Sequence, residues 1–365
     1  MTPLLKEIRH NPLLWPLAFV PVVLAAQVLK PEAHTLLFVL SIMAIVPLAA
    51  LLSRATESVA ARTGDMVGGL LNATLGNLTE LLIALAALRA GQYVLVKASI
   101  AGAIVTNALF MLGASFLLGG LKYHVQEYNR NNARLQAGLL FLATIAMLVP
   151  SVVIDANATA TTAKFTQTLS TGLSVLLIVT YGLGLAFSLK THSELFASAD
   201  HAESGEEQWS LGLSLATLAG VTVLVALVSE VFVESVQQAA TALAISPAFV
   251  GFIIVALVGA AAEMVSALSA ARKDRLDLSV GIALGSASQI ALFVAPVLVL
   301  ASYLIGPTPM NLQFWPGAVA MILIATMTAS LVSNTGRSTW FVGVLVVTVY
   351  LIFAMTLYLL PPRIQ

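Results

Sequence analysis

The sequence predicts an all-α polytopic membrane protein of about 11 transmembrane helices: an extra N-terminal helix followed by two inverted five-helix repeats. Three observations predict this class. Only 9% of the 365 residues are charged, and mean hydropathy is +0.96; soluble domains carry about 25% charge, so most of this surface must face lipid. Apolar runs close to the roughly 20 residues that cross a hydrocarbon core follow one another along the chain with short links. One of these runs recurs 183 positions later with its glycines and its glutamate in register.

The first span, 13–29, follows Lys6 and Arg9. It contains Pro16 and Pro21 and exceeds the about 7–15 apolar residues of a signal peptide, so it reads as a retained helix. Further spans are expected at 34–60, 66–90, 94–121, 134–154, 166–190, 209–241, 247–271, 277–305, 313–333 and 338–360. Strands are set aside, because an open sheet leaves backbone groups unpaired in lipid and a barrel shows short alternating segments. With the N-terminus in the cytoplasm, twelve Lys and Arg fall inside and five outside. That excess favours a cytoplasmic N-terminus and an outside C-terminus, and the chain is expected to be an integral protein of the cell (inner) membrane. The same count suits ten spans if the first is removed.

Residues 1–33 form the extra helix, 34–190 the first five-helix repeat, 191–208 a link and 209–365 the second repeat. The link runs through His192, Glu194, Asp200, His201, Glu203, Glu206 and Glu207. It reads as a solvated acidic connection on the cytoplasmic side. A sharper reading makes it a weak collector of divalent cations through its field.

Composition excludes several functions. Lys+Arg and Asp+Glu balance at 17 each, so no basic excess points to nucleic acid. Cysteine is absent, which removes disulfides, thiolate metal sites and cysteine nucleophiles. No enzyme is expected. Asp65, Asp155, Asp200, Asp274 and Asp277 sit at span ends or in links, and no HExxH helix occurs.

The repeat sets 66–90 against 249–273 without a gap, and nine of the 25 pairs are identical. Alanine and leucine matches follow from composition. The pairs Gly68/Gly251, Gly76/Gly259 and Glu80/Glu263 do not. The offset continues with Gly102/Gly285, Leu109/Leu292 and Phe110/Phe293. An odd number of spans separates equivalent helices, so the copies lie upside down to each other. Transporters built this way bind substrate near the midplane where the repeats meet.

Glu80 and Glu263 each fall about fifteen residues into their spans, close to mid-membrane at about 1.5 Å per residue. A carboxylate there is costly and suggests function; its occurrence twice, symmetrically, argues against a merely structural bond. Each follows a glycine by four residues, Gly76 and Gly259, where a helix is easily interrupted and carbonyls can be freed. Ca²⁺ takes six to eight oxygens, and carboxylates, carbonyls and water fit that demand. Zn²⁺ and Cu⁺ would want His or Cys, which both spans lack. The expected metal ligands are Glu80, Glu263 and Asn77. Asn72, Asn107, Ser286 and Gln289 are candidates for the same cavity, or for interhelical hydrogen bonds. Glu57, Glu230 and Glu234 line an access path or sit at the interface. Two close carboxylates do not stay ionised together cheaply without a cation, so proton and cation compete for the same oxygens.

The first repeat reads Gly68-Gly-Leu-Leu-Asn-Ala-Thr-Leu-Gly-Asn-Leu-Thr-Glu80, then Val96-Lys-Ala-Ser99 and Asn107. The second reads Gly259-Ala-Ala-Ala-Glu263, Lys273-Asp-Arg-Leu-Asp-Leu278 and Gly281-Ile-Ala-Leu-Gly-Ser-Ala-Ser-Gln-Ile-Ala-Leu-Phe-Val-Ala-Pro296. In these motifs, and over nearly its whole length, the chain resembles the calcium/proton exchanger (CAX) family of the cation/Ca²⁺ exchanger superfamily. The resemblance implies eleven helices, an acidic cytoplasmic link, and cation and proton binding by Glu80 and Glu263. The implied activity is secondary antiport of Ca²⁺, or a similar divalent cation, for H⁺ by alternating access. The partners are then Ca²⁺, protons and the bilayer, with no cofactor; a homo-oligomer stays open. Ala260 and Met264 depart from the family's usual Gly-Asn-Ala-Ala-Glu-His, and Ala103 and Thr106 stand where the first repeat often has Ser. Fewer side-chain oxygens leave ion choice less constrained. A Na⁺/Ca²⁺ exchanger therefore remains the alternative, and a Ca²⁺ channel a further one.

Overall fold

The computed structural model describes residues 3–152, 160–192, 194, 209–360 and 362, and these are almost entirely helical. The acidic link, apart from Thr191, His192 and Glu194, lies outside the described residues. The chain begins with a short helix α1 (Pro3–His10). A 3₁₀ segment, Pro12–Ala18, follows, its start capped by Asn11, whose side chain accepts from the Leu13 amide at 3.1 Å. It leads into α2 (Phe19–Leu29). The expected first span is thus half 3₁₀ and half α, because Pro12 and Pro16 withhold amides from the ladder.

The first half continues with α3 (His34–Ala60), α4 (Asp65–Leu75), α5 (Leu78–Arg89) and α6 (Tyr93–Val105). A π-helical turn, Thr106–Met111, joins α6 to α7 (Leu112–Tyr123). Then come a short strand β1 (Val125–Glu127), α8 (Arg130–Val152) and α9 (Ala160–Ala186). The second half opens with α10 (Leu211–Ala242), capped by the Ser210 hydroxyl. Next is the one-turn α11 (Pro247–Phe249), capped by Ser246 with proline at its first position. A π-helical stretch, Val250–Val255, continues into α12 (Ala256–Gly259), and α13 (Ala261–Arg272) and α14 (Leu276–Gln289) follow. A second π turn, Ile290–Val294, leads to α15 (Ala295–Ile305), then α16 (Pro316–Ser333), β2 (Arg337–Thr339) and α17 (Trp340–Leu359).

Among the described residues nine helices are long and apolar enough to cross a membrane, and two bent pairs bring the number to eleven. The bent pairs are the expected third and eighth spans. Each is a broken span, with a 41° bend between α4 and α5 and a 59° bend between the helices either side of Ala260. The tenth span starts at Pro316 rather than 313, since proline fits the first helical position and residues 306–315 form a loop. That loop is tied to α6 by Lys97, whose ammonium donates to Asn311 Oδ1 at 2.7 Å and the Gln313 carbonyl at 2.8 Å.

Small residues bring the two halves together. α6 runs against the π-helical stretch of the second half. A Cβ on Gly102 would strike the Phe252 carbonyl, and one on Gly251 would lie 2.6 Å from the Ala98 side chain. Close backbone approach of this kind drives helix association in lipid, where apolar burial does not. The long helices α3 and α10 pack along each other, with Phe38 stacked on Phe232 at 5.3 Å and the Ser58 and Ser214 hydroxyls 2.8 Å apart. β1 and β2 pair antiparallel, Val125 opposite Thr339, and Glu127 meets Arg337 at 2.7 Å. Large apolar side chains such as Leu304 and Leu331 point outward, as a lipid-facing surface requires.

Candidate functional site

Each break puts a helix start inside the molecule. Glu80 falls in the first turn of α5 and Glu263 in the first turn of α13. Helix starts leave backbone amides unpaired and carry the positive end of the helix dipole, so both carboxyl groups lie where negative charge is favoured.

Glu80 meets the opposite half directly, and Glu263 is linked to it through Ser286. A Cβ on Gly259 would lie 2.9 Å from Glu80 Cγ and 3.3 Å from its Oε1, so the missing side chain at Gly259 makes room for the Glu80 carboxyl group. On the other side, Ser286 of α14 joins the two copies. Its hydroxyl lies within bonding distance of Glu263 Oε2 and 2.6 Å from Asn77 Oδ1. One hydroxyl proton serves one acceptor at a time. Gln289 approaches the first break: its Oε1 is 3.5 Å from the position a Gly76 Cβ would take.

Buried polar atoms without a hydrogen-bond partner gather here. They are Glu80 Oε1, Asn77 Nδ2 and Gln289 Nε2. Such atoms call for an explanation, of which a missing ion or water is the ordinary one. The amide N and O of Asn and Gln are interchangeable by rotation, so each can present an oxygen. Carboxylates, amides and a hydroxyl form a hard, oxygen-only set, suited to a Group 2 cation.

A cavity of about 420 Å³ leads to Glu263. Its wall includes Asn72, Gly76, Ser286 and Gln289, and nearer the mouth Ser53, Glu57, Asn132, Ser188 and Asp277. Ser53, Glu57, Asn132, Ser188 and Asp277 sit near the helix ends that carry the excess of Lys and Arg. Glu80 is absent from that wall. It lines a separate pocket of about 10 Å³ with Ser99, Ala103, Val255 and Val294, room for at most a single water.

The structure therefore brings together Glu80, Glu263, Asn77, Gly76, Gly259, Ser286 and Gln289, with Asn72 and Glu57 on the approach. It leaves three candidates elsewhere. Asn107 is fully buried in the π turn after α6, off the wall of the 420 Å³ cavity, and neither of its side-chain polar atoms is bonded. Of the two readings left open for Glu230 and Glu234, access path or interface, their contacts favour the second. Arg89 takes Glu230 at 2.9 Å and Gln27 takes Glu234 at 3.3 Å, and neither glutamate lines the cavity.

Several wall residues escaped the sequence reading. Ser266 lies one helical turn past Glu263, so that spacing was a usable signal. Gln136 accepts from Ser288 at 2.6 Å, and Asp277 accepts from the Asn129 amide at 2.9 Å. Tyr181 also lines the cavity and donates to the Ala73 carbonyl at 2.5 Å. It sits in an ordinary apolar run of α9, and nothing local marks it.

Comparison with known proteins agrees with this arrangement. The model of a family described as sodium/calcium exchanger protein matches residues 33–190 and 213–359, one block on each side of the link. A Ca(2+)/H(+) antiporter of Aphanothece halophytica is 38% identical over 359 residues, covering 94% of this chain and 95% of that protein. The Ca(2+)/H(+) antiporter ChaA of Bacillus subtilis is 41% identical over 329 residues, covering 89% and 92%. Among solved structures, native YfkE superposes with a TM-score of 0.80 at 36% identity, over 94% of this chain and 98% of that one.

Proposed function

The chain belongs to the sodium/calcium exchanger protein family, and from that premise we propose that it is a secondary antiporter exchanging Ca²⁺ for H⁺ at a site built on Glu80 and Glu263. The observation that carries the reading is the meeting of one carboxylate from each half at two broken helices, with oxygen-bearing side chains between them. The names of the Aphanothece and Bacillus relatives support protons, rather than sodium, as the counter-ion.

The chemistry follows from the oxygens. A bound Ca²⁺ takes both carboxylates as anions, with Asn77, Ser286 and water completing its shell. Protons bind the same carboxylate oxygens, so each ion expels the other. Exchange results if the site reorients when filled by either, and not when empty and doubly charged. The cavity gives Glu263 access from the cytoplasmic side, while Glu80 has only a pocket of about 10 Å³. This is the geometry of one end of an alternating-access cycle.

In this reading residues 34–190 and 209–365 are the two inverted repeats, 1–33 is an added helix, and 191–208 is a cytoplasmic link. The charge count supports a cytoplasmic N-terminus. The test is Ca²⁺ uptake into proteoliposomes under an imposed pH or Na⁺ gradient. Uptake should follow the pH gradient; uptake that ignores it and follows Na⁺ overturns the proposal.

A further inference from the structure

We infer that Tyr181 is a specificity-determining residue, whose hydroxyl occupies a backbone carbonyl freed by the first helix break and so withholds that oxygen from monovalent cations. The inference rests on the exchange reading and names what restricts the ions the site accepts.

The two breaks free different carbonyls. In the first, the last helical bond of α4 runs from the Gly76 amide to the Asn72 carbonyl at 2.8 Å. The next carbonyl, that of Ala73, would receive the Asn77 amide in an unbroken helix. Asn77 instead begins α5, its own carbonyl taking the Leu81 amide at 3.1 Å. The Ala73 carbonyl is left to the Tyr181 hydroxyl, which donates to it at 2.5 Å. In the second break the equivalent carbonyl, Ala256, keeps a backbone partner, the Ala260 amide at 3.1 Å. One copy satisfies this carbonyl locally; the other borrows a side chain from α9.

The borrowed group stands at the cation's approach. Ala73, Tyr181 and Glu263 share the wall of one cavity. The phenol oxygen sits 2.5 Å from the carbonyl, within the roughly 2.3–2.6 Å that a hard cation keeps to its oxygens. It therefore takes the space an ion would use, together with one of the carbonyl's two lone pairs. The Phe293 ring lies 5.7 Å from that of Tyr181, in the π turn following Gln289, and does not touch the hydroxyl's bond to Ala73.

The consequence is a difference between ions. In transporters with broken helices, unwound carbonyls and half-helix ends coordinate Na⁺. Ca²⁺ and H⁺ depend on carboxylates, which this site has. Ala256 and Ala73 are both hydrogen-bonded, so this pair of equivalent carbonyls is not open to an ion that brings a single charge.

The experiment is calorimetric Ca²⁺ titration of purified protein in sodium chloride and in choline chloride at equal ionic strength. Wild type should bind Ca²⁺ equally in both. Tyr181→Phe, which loses the hydroxyl and keeps the ring, should bind Ca²⁺ about fivefold more weakly in sodium, the scale of one hydrogen-bond-sized contact. Phe293→Leu, which disturbs the ring contact and keeps the hydroxyl, should behave as wild type. If the phenylalanine variant does not fold, Tyr181→Leu removes the same donor. Variants lacking the hydroxyl that are as blind to sodium as wild type, equal sodium sensitivity in Phe293→Leu, or sodium sensitivity already present in wild type would each overturn the inference. Proton-driven uptake by wild-type proteoliposomes, measured on the same preparation, separates these outcomes from failure of the exchange reading itself.

Discussion

The two broken helices begin from one sequence pattern and end in different structures. The first break spans Gly76 and Asn77; the second is confined to Ala260. The first sends Asn77 across to Ser286 of the other half and leaves a carbonyl for Tyr181. The second closes its own carbonyl and sends nothing across, because alanine has no group to send. Glu263 faces a cavity of about 420 Å³ and Glu80 a pocket of about 10 Å³. Duplication thus supplies two carboxylates of equal kind. Their neighbours make them unequal in access, which a molecule open to one side requires.

The comparison breaks most plainly if the carboxylates are not one site. Glu80→Gln and Glu263→Gln keep shape and remove charge. Either should cut pH-driven Ca²⁺ uptake by about a hundredfold or more, since a buried ion loses a charged ligand worth several kcal/mol. A variant with near-normal uptake would show that its glutamate is outside the site.

A second measurement sharpens how far the two act together. Protons compete with Ca²⁺ for the same oxygens, so apparent Ca²⁺ affinity falls as pH is lowered. Two displaced protons give a limiting dependence of about a hundredfold per pH unit and one gives about tenfold, at about 1.4 kcal/mol each. Calorimetry between weakly acid and alkaline pH distinguishes them. A slope of one would assign exchange to a single glutamate, and no slope would remove proton coupling from this pair.

The amide asymmetry is the next test. Asn77→Ala should weaken Ca²⁺ binding by about tenfold, the scale of a hydrogen bond or ligand to a charged group. Ala260→Asn gives the second break the amide it lacks and should tighten binding several-fold without altering the pH slope, since Asn does not titrate. Unchanged affinity in Asn77→Ala would reduce that residue to a packing contact.

The smallest effect is expected at the rim. Glu230→Gln removes the exposed pair with Arg89, and exposed pairs are worth about 0–1 kcal/mol. Transport should change by less than about fivefold at that scale. A large loss would return Glu230 to the ion path.

The number of spans, the duplication and both glutamates were legible in the sequence, because they depend on run length and register. Gly76 and Gly259 also pointed to the breaks. The unequal form of the breaks was not legible, since it turns on Ala260 against Asn77 and on Tyr181, more than a hundred positions from its partner. Glu230 and Glu234 share a helix face, yet a face does not say which neighbour it meets; Arg89 and Gln27 decided that. Ser286 was a candidate by position, while its place between Asn77 and Glu263 needed three dimensions.

The small pocket beside Glu80 has a consequence for hydration. Ser99 is the one polar neighbour on its wall; Ala84, Ile100, Ala103, Val255, Ala256, Ile290 and Val294 form the rest. Narrow apolar walls of this kind favour dewetting. In the exchange reading, the reluctance of water to enter keeps the Glu80 side closed with no charged latch of its own.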